Sequence, residues 1–186
     1  MCSETQVNKH QVKLTQRSSV PIGRKLHNLA WGMVNKCVFP VTFRLNMLRR
    51  ILLRLFGAKI GRGVRISPRC IIEYPDRLSI GNNSSIGNRC LVQCLDNITI
   101  GSNVCISDEV ALLTGSHDLQ SGTFELYTRP IVLSDGVWIA YRATVLSGVQ
   151  LGAGVVVGAS SLIAKSYEKN KILSGNPAEV IRNRYI

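Results

Sequence analysis

The 186-residue chain lacks the sequence signals of several protein classes. No stretch of about eighteen uncharged apolar residues occurs, so we predict no membrane-spanning helix. The six cysteines form no Cys-x-x-Cys pair, and no secretory signal opens the chain. This cysteine usage favours free thiols in a reducing compartment over a disulfide framework or a zinc site. We therefore expect a cytoplasmic protein that binds no metal.

Acidic residues are nearly absent from the first third of the chain. Residues 1–59 contain eleven Lys and Arg but only Glu4, for a net charge of +10, whereas residues 60–186 carry only +2. The basic character therefore belongs to an N-terminal segment and not to the rest of the chain. A nearly neutral main domain lacks the charge footprint of nucleic-acid binding, so we predict no nucleic-acid partner.

What the chain does have is an aliphatic residue at every sixth position. A period of six predicts short strands with a corner after each, three to a coil, with neighbouring coils about 4.8 Å apart. The repeat therefore predicts an all-β solenoid, a parallel β-helix, over residues 58–168. Two-residue slips occur near Asp76 and Ile98, and residues 113–132 interrupt the repeat as an extruded loop. The predicted core positions are Ile60, Ile66, Ile72, Ile80, Ile86, Val92, Ile100, Ile106, Leu112, Leu133, Ile139, Val145, Leu151, Val157 and Ile163.

The N-terminal segment, residues 1–57, mixes apolar and basic residues. We predict disorder over residues 1–20 and then two helices separated at Pro40, the second ending at Gly57. The second helix has an apolar stripe (Phe43, Met47, Leu48, Ile51, Leu52, Leu55) flanked by Arg44, Arg49, Arg50 and Arg54. Two interpretations stay open. The stripe packs on the first coil as a cap and leaves the arginines in water, or residues 24–56 rest on an anionic membrane surface.

The remaining motifs resemble a known family. GSHD in the loop at 115–118, PIVLSDGVWIA at 130–140 and SGNPAEVIR at 174–182 are similar to the maltose and galactoside acetyltransferases. The runs LLRLFGAKIG and ITIGSNVCIS make the colanic-acid-type exopolysaccharide acetyltransferases a closer match. The resemblance implies a left-handed helix, a homotrimer, and acetyl-CoA bound between neighbouring subunits. A tail at 169–186, with a short helix after Pro177, completes the predicted architecture.

The same resemblance implies roles for individual residues. His117, the only histidine outside the N-terminal segment, matches the catalytic base. Around it, Asp118, Glu125 and Gln93 are the candidates for contact with the acceptor. The candidates for contact with acetyl-CoA are Lys165, Ala159, Arg182 and Trp138. Tyr141 departs from the family, because a small hydroxyl residue touches CoA at the corresponding position of the galactoside enzyme.

Histidine suits this chemistry because a neutral imidazole can take the proton of a sugar hydroxyl as the hydroxyl attacks a thioester. We therefore predict O-acetylation of a sugar in an exopolysaccharide or lipid-linked saccharide precursor. A peripheral position at the inner membrane face is the alternative to the open cytoplasm. The alternative functions are N-acetylation of a nucleotide amino sugar or a small xenobiotic, and an inert β-solenoid scaffold. A γ-class carbonic anhydrase is excluded, because its zinc takes three histidines from the coils.

Overall fold

The computed structural model describes residues 22–118 and 124–185, so the predicted disorder of residues 1–20 lies outside the described part. The chain begins with helix α1 (Ile22–Met33), a π-helical turn (Val34–Val38), a 3-10 turn (Phe39–Val41) and helix α2 (Asn46–Leu55). Pro40 lies in the connection between the helices, as predicted. Neither helix has the length and hydropathy that a membrane span requires.

The remainder folds into three parallel sheets that form the faces of a triangular prism. Apart from two hairpins described below, consecutive strands belong to different sheets, so each set of three closes one coil. Sheet A contains β1 (Lys59–Ile60), β4 (Leu78–Ile80), β7 (Ile98–Ile100), β12 (Ile131–Leu133) and β15 (Gln150–Leu151). Sheet B contains β2 (Arg65–Ile66), β5 (Ser85–Ile86), β8 (Cys105–Ile106), β13 (Trp138–Ile139), β16 (Val156–Val157) and β18 (Lys171–Gly175). Sheet C contains β3 (Ile71–Glu73), β6 (Leu91–Gln93), β9 (Ala111–Leu113), β14 (Thr144–Val145) and β17 (Leu162–Ile163).

The predicted core positions stack directly above one another. In sheet A the paired residues are Ile60, Ile80, Ile100, Leu133 and Leu151, and all five are buried. The predicted solenoid of six-residue steps is thus confirmed. The two slips and the long interruption all fall at the corner after sheet C, and the first forms a 3-10 turn, Pro75–Arg77. Insertions are tolerated at a corner because they leave the hydrogen-bonded ladder intact.

Side chains of α2 bind the open edge of the first coil. The Arg49 guanidinium donates to the carbonyl oxygens of Ile66 and Thr42, each at 2.7 Å. Arg54 Nη2 donates to the carbonyl oxygen of Ile60 at 2.6 Å. The carbonyl groups of Ile66 and Ile60 have no strand beyond them to bond, and a buried backbone group without a partner is costly. The arginines therefore satisfy the edge strands that an unfinished β-helix would otherwise expose.

The segment before α2 completes the cap. Trp31 Nε1 donates to the carbonyl oxygen of Ile72 at 2.6 Å. The Asn35 amide donates to the carbonyl oxygen of Cys70 at 3.2 Å and accepts from the amide of Ile72 at 3.1 Å. Both Trp31 and Asn35 are buried. The first coil is therefore closed by polar groups of the helices.

The orientation of α2 differs from the cap interpretation. In that interpretation the apolar stripe packs inward and the arginines face water, but Arg49 is only 4% exposed. The stripe residues Phe43, Met47 and Leu55 are more than 70% exposed. The reason is that the edge of a β-helix offers unpaired carbonyl groups, which arginine can bond and leucine cannot. The helices do form a cap, and its inward side combines the buried Leu53 with the arginines that bind the edge.

The predicted C-terminal helix is wrong. The tail forms an antiparallel hairpin of β18 and β19 (Ala178–Asn183), with Pro177 at its turn. Strand β18 also pairs in parallel with β16, so it continues sheet B by one more strand. This addition leaves an open edge, and the returning strand β19 covers it with backbone hydrogen bonds that a helix could not supply.

Candidate active site

The predicted loop is a two-stranded hairpin at the corner between sheets C and A. It consists of β10 (Gly115–His117) and β11 (Leu126–Thr128), which pair antiparallel and in register, with His117 opposite Leu126. The hairpin leaves the prism after β9 and returns to it at β12. Because the ladder of coils continues beneath it, the hairpin is held at both ends by rigid strands.

A buried threonine anchors the hairpin to the prism. Thr114 is fully buried, and its hydroxyl donates to the carbonyl oxygen of Gln93 at 2.6 Å. The same hydroxyl accepts from the amide of Asp96 at 3.0 Å, and the Thr114 carbonyl accepts from the amide of Arg129 at 3.0 Å. Sequence analysis did not identify Thr114. The one sequence feature that could have indicated its role is its position, since it is a hydroxyl residue directly before the GSHD motif.

His117 has a defined tautomer. Its Nδ1 lies 2.9 Å from the carbonyl oxygen of Phe124, and a carbonyl oxygen can only accept. Nδ1 therefore carries the proton of the neutral ring, and Nε2 keeps its lone pair. The imidazole also stacks on the Phe124 ring at 4.4 Å between centroids. His117 is exposed, so Nε2 is accessible to a reactant.

The candidate acceptor residues lie on or beside this hairpin. Asp118 and Glu125 are exposed and face each other across it, with the Asp118 amide donating to the Glu125 carbonyl at 2.9 Å. Together with Tyr127 they line an open cleft of about 420 Å³. Gln93 lies at the base, where a Cβ added to Gly115 would be 3.7 Å from its side-chain oxygen. One hairpin and its base therefore hold His117 and all three acceptor candidates, but the cleft is lined by Asp118 and Glu125 and not by His117 or Gln93.

Two of the candidate donor residues lie in one row on the outer side of sheet B. Trp138 pairs with Val156, Val156 with Ile172, and Ile172 with Arg182. Residues in register on neighbouring strands project from the same side of a sheet, so the row spans about 14 Å between its end strands. Trp138 is 46% exposed, and its Nε1 donates to the hydroxyl of Ser107 at 3.2 Å. The row is thus an apolar strip that ends in a cation.

The other two donor candidates lie at corners of the prism. Ala159 is exposed at the corner after sheet B. Lys165 follows β17 at the corner after sheet C, and its Nζ lies 3.3 Å from a carboxylate oxygen of Glu179, with both side chains largely exposed. The structure therefore does not bring Lys165 into the row of Trp138 and Arg182.

Tyr141 belongs to an ionic cluster at the corner after sheet B. Its hydroxyl donates to Glu109 at 2.9 Å, and Arg142 and Arg89 bind the same carboxylate. The hydrogen bond from Arg89, followed by that from Tyr141, lowers the pKa of Glu109. The Tyr141 hydroxyl therefore contacts Glu109, and this corner lacks the small hydroxyl residue that the resemblance implies.

The comparisons with known proteins decide the family. No family model matches the chain. The chain is 45% identical over 155 residues to WcaF of Escherichia coli K12, which bears the name of a colanic acid biosynthesis acetyltransferase, and the alignment covers 83% of this chain and 85% of WcaF. It is 30% identical over 138 residues to the galactoside O-acetyltransferase of the same organism, with coverage of 72% and 68%. The chain belongs to the hexapeptide-repeat acetyltransferase family. The predicted acyltransferase class is thereby confirmed.

A solved structure agrees with the fold of this acetyltransferase. A hexapeptide-repeat acetyltransferase from Vibrio cholerae, solved in complex with acetyl-CoA, superposes with a TM-score of 0.79 at 22% identity. The match covers 92% of this chain and 94% of the other. At this identity the likeness concerns the fold, and it confirms the predicted left-handed parallel β-helix. Within residues 22–118 and 124–185 of the acetyltransferase, no three His, Cys, Asp or Glu side chains are grouped to hold a metal ion.

Proposed function

We propose that the chain is an acetyl-CoA-dependent O-acetyltransferase in which His117 acts as general base toward a saccharide hydroxyl. The observation that carries the proposal is the tautomer of His117. Because Nδ1 donates to the Phe124 carbonyl at 2.9 Å, Nε2 is the basic nitrogen, and the His117 side chain that carries it is exposed.

The reaction needs one proton to be moved twice. Nε2 accepts the proton of the acceptor hydroxyl as its oxygen bonds to the thioester carbon. It then returns the proton to the sulfur as the carbon–sulfur bond breaks, which leaves an acetyl ester and a free thiol. The Phe124 carbonyl stabilises the imidazolium between these steps, because it holds the Nδ1 proton throughout. A positioned base contributes roughly 10²- to 10⁴-fold in rate.

The donor residues fit acetyl-CoA in chemical type. The outer row of sheet B is apolar from Trp138 to Ile172, which suits a pantetheine arm, and it ends at Arg182, which suits a phosphate. Ala159 leaves the backbone open at the neighbouring corner. Lys165 is a second cation for the phosphates, and it would exchange Glu179 for them.

We expect a homotrimer with shared active sites. In one chain the His117 hairpin leaves the corner after sheet C, whereas Trp138 and Arg182 project from sheet B. A cleft between two prisms can bring the hairpin of one subunit next to sheet B of another. A ring of three closes with a single kind of heterologous interface.

For the acceptor we propose a saccharide of an exopolysaccharide precursor, carried on a lipid. On the hairpin that carries His117 and at its base, Asp118, Glu125 and Gln93 offer carboxylate and amide groups to sugar hydroxyls. The name of the relative WcaF supports the polysaccharide assignment. Such a precursor and acetyl-CoA meet at the cytoplasmic side of the inner membrane, where we place the enzyme as a peripheral protein.

The test compares the purified chain with His117→Ala, using acetyl-CoA and a set of exopolysaccharide oligosaccharides and nucleotide amino sugars. We expect an ester product, a kcat lowered roughly 10²- to 10⁴-fold by the substitution, and unchanged CoA binding by calorimetry. His27→Ala is the matched control, since His27 lies in α1 against Phe56. Near-normal turnover by His117→Ala, or acetylation of amines alone, would contradict the proposal.

A further inference from the structure

Both N-terminal helices turn an apolar stripe away from the β-helix. On α1 the stripe consists of Ile22, Leu26, Leu29 and Met33, each more than 60% exposed. Their spacing places them on one side of the helix, opposite the buried Trp31. This set is called the α1 stripe below.

The second helix has the same arrangement. Met47, Ile51 and Leu55, which follow the exposed Phe43, form the α2 stripe. The opposite side of α2 holds the buried Arg49 and Leu53, which face the first coil. Since both helices bind the edge of the first coil through their inward sides, both stripes face outward from the same end of the prism.

The cap does not account for these stripes. The edge of the first coil is satisfied by Trp31, Asn35, Arg49 and Arg54, none of which belongs to a stripe. Exposed apolar side chains are common singly, but two full helical stripes at one end of a domain indicate an interaction surface.

The charge of the same segment indicates the partner. Residues 22–57 contain seven Lys and Arg and no Asp or Glu. Lys25, Lys36 and Arg44 are exposed beside the stripes. Arg24 pairs with Asp76 at 3.0 Å, but the segment itself contributes only cations. An apolar strip beside exposed cations matches the boundary of an anionic lipid leaflet, where apolar side chains enter the headgroup region and cations meet lipid phosphates. We infer that the capped end of the prism, through the α1 and α2 stripes, docks on an anionic membrane surface.

This docking would hold the catalytic hairpin near the membrane. The hairpin leaves the third coil, about 10 Å beyond the first along the axis of the prism. A saccharide linked to a lipid headgroup would then meet His117 while its carrier stays in the bilayer. This last step rests on the proposed function, whereas the docking itself does not depend on it.

The test is co-sedimentation of the full chain with vesicles, without acetyl-CoA or acceptor. The vesicles contain phosphatidylcholine alone or with added phosphatidylglycerol, at low and high salt. We expect binding to the anionic vesicles that weakens with salt, because salt screens the cations.

Two pairs of substitutions test the stripes. Leu26→Ser with Leu29→Ser, and Met47→Ser with Leu55→Ser, should each weaken binding at least about tenfold. Lys25→Glu with Arg44→Glu should do the same at low salt and less at high salt.

The matched control is Val180→Ser with Ile181→Ser, which removes two exposed apolar side chains from the C-terminal hairpin. It should bind vesicles as the wild type does, and so should His117→Ala, which separates docking from catalysis. Circular dichroism would show that each variant is folded. No binding of the wild type to anionic vesicles would overturn the inference. Equal loss in the control pair would also overturn it, as would stripe variants that dissociate the oligomer in sedimentation velocity.

Discussion

The imidazole of His117 and the ring of Phe124 stack with their centroids 4.4 Å apart and their planes 5° from parallel. The backbone of Phe124 has φ +50°, a conformation that bulky residues rarely adopt and that costs about 1–3 kcal/mol. In this conformation its carbonyl accepts the Nδ1 proton while its ring covers one face of the imidazole. Phe124 is therefore a positioning residue for His117.

Phe124→Ala should lower kcat by roughly two- to tenfold with little change in KM for acetyl-CoA. The substitution keeps the backbone carbonyl but removes a stacked pair that is worth about 0.5–1.5 kcal/mol. Phe124→Tyr keeps the stacking and should restore kcat. Steady-state kinetics of the two variants would measure this, and an unaffected kcat in Phe124→Ala would contradict the positioning role.

Thr114→Val should both destabilise the protein and lower kcat. It is nearly isosteric, but it removes the hydroxyl partner of the half-buried Gln93 carbonyl and Asp96 amide. Each such loss costs about 1–3 kcal/mol. Thr114→Ser keeps the hydroxyl and is the control. Thermal unfolding and kcat would be measured together, and a wild-type kcat in Thr114→Val would show that the anchor does not position His117.

The fold was predictable because periodicity states which residues face the core. Ile60, Ile80 and Ile100 occur at steps that only stacked coils explain, and the structure pairs them directly. The loop with His117 was equally visible, since an insertion in a regular repeat stands out. For the roles of the individual site residues, the sequence offered only their match to family motifs, and those roles stay predictions.

The two ends of the prism were not predictable in the same way. A repeat does not state how its first and last strands satisfy their open edges. The apolar stripe on α2 indicates that these side chains avoid water, but it does not indicate which side of the helix contacts the prism. In the structure, Arg49 and Arg54 make that contact by donating to the edge carbonyl groups. At the other end Val180 and Ile181 fit a strand as well as a helix. They form a strand because the open edge of β18 offers backbone groups that only a strand can pair.

Arg49→Met should lower the free energy of unfolding by roughly 3 kcal/mol. The guanidinium donates to two carbonyl groups and to the Thr42 hydroxyl, and hydrogen bonds from a charged group are worth about 1.5–3 kcal/mol each without being additive. Arg44→Met, at an exposed position, is the matched control and should have little effect. Urea denaturation of both variants would measure the difference. Equal stabilities would mean that water replaces Arg49 at the edge.

Cysteine alkylation at pH 8 should separate two classes of thiol. Cys37 and Cys105 are exposed, whereas Cys70, Cys90 and Cys94 are buried. Burial raises the pKa of Cys90 to about 11, so at pH 8 about one Cys90 in a thousand is the reactive thiolate. Burial also raises the pKa of Cys70 and of Cys94. Mass spectrometry after brief iodoacetamide treatment should show modification of Cys37 and Cys105 first. Fast labelling of Cys90 in the native protein would contradict the closed core.

Two inactive variants should restore activity when they are mixed. The first is His117→Ala, and the second combines Trp138→Ala with Arg182→Ala. If each active site takes the hairpin of one subunit and sheet B of another, random mixed trimers made from equal amounts contain intact sites at about one quarter of positions. Activity after co-refolding should therefore rise to about a quarter of that of the wild type. Each variant refolded alone is the control and should remain inactive. Mixed trimers with no recovered activity would show that one chain supplies both halves, because in that case no site in the mixture could be complete.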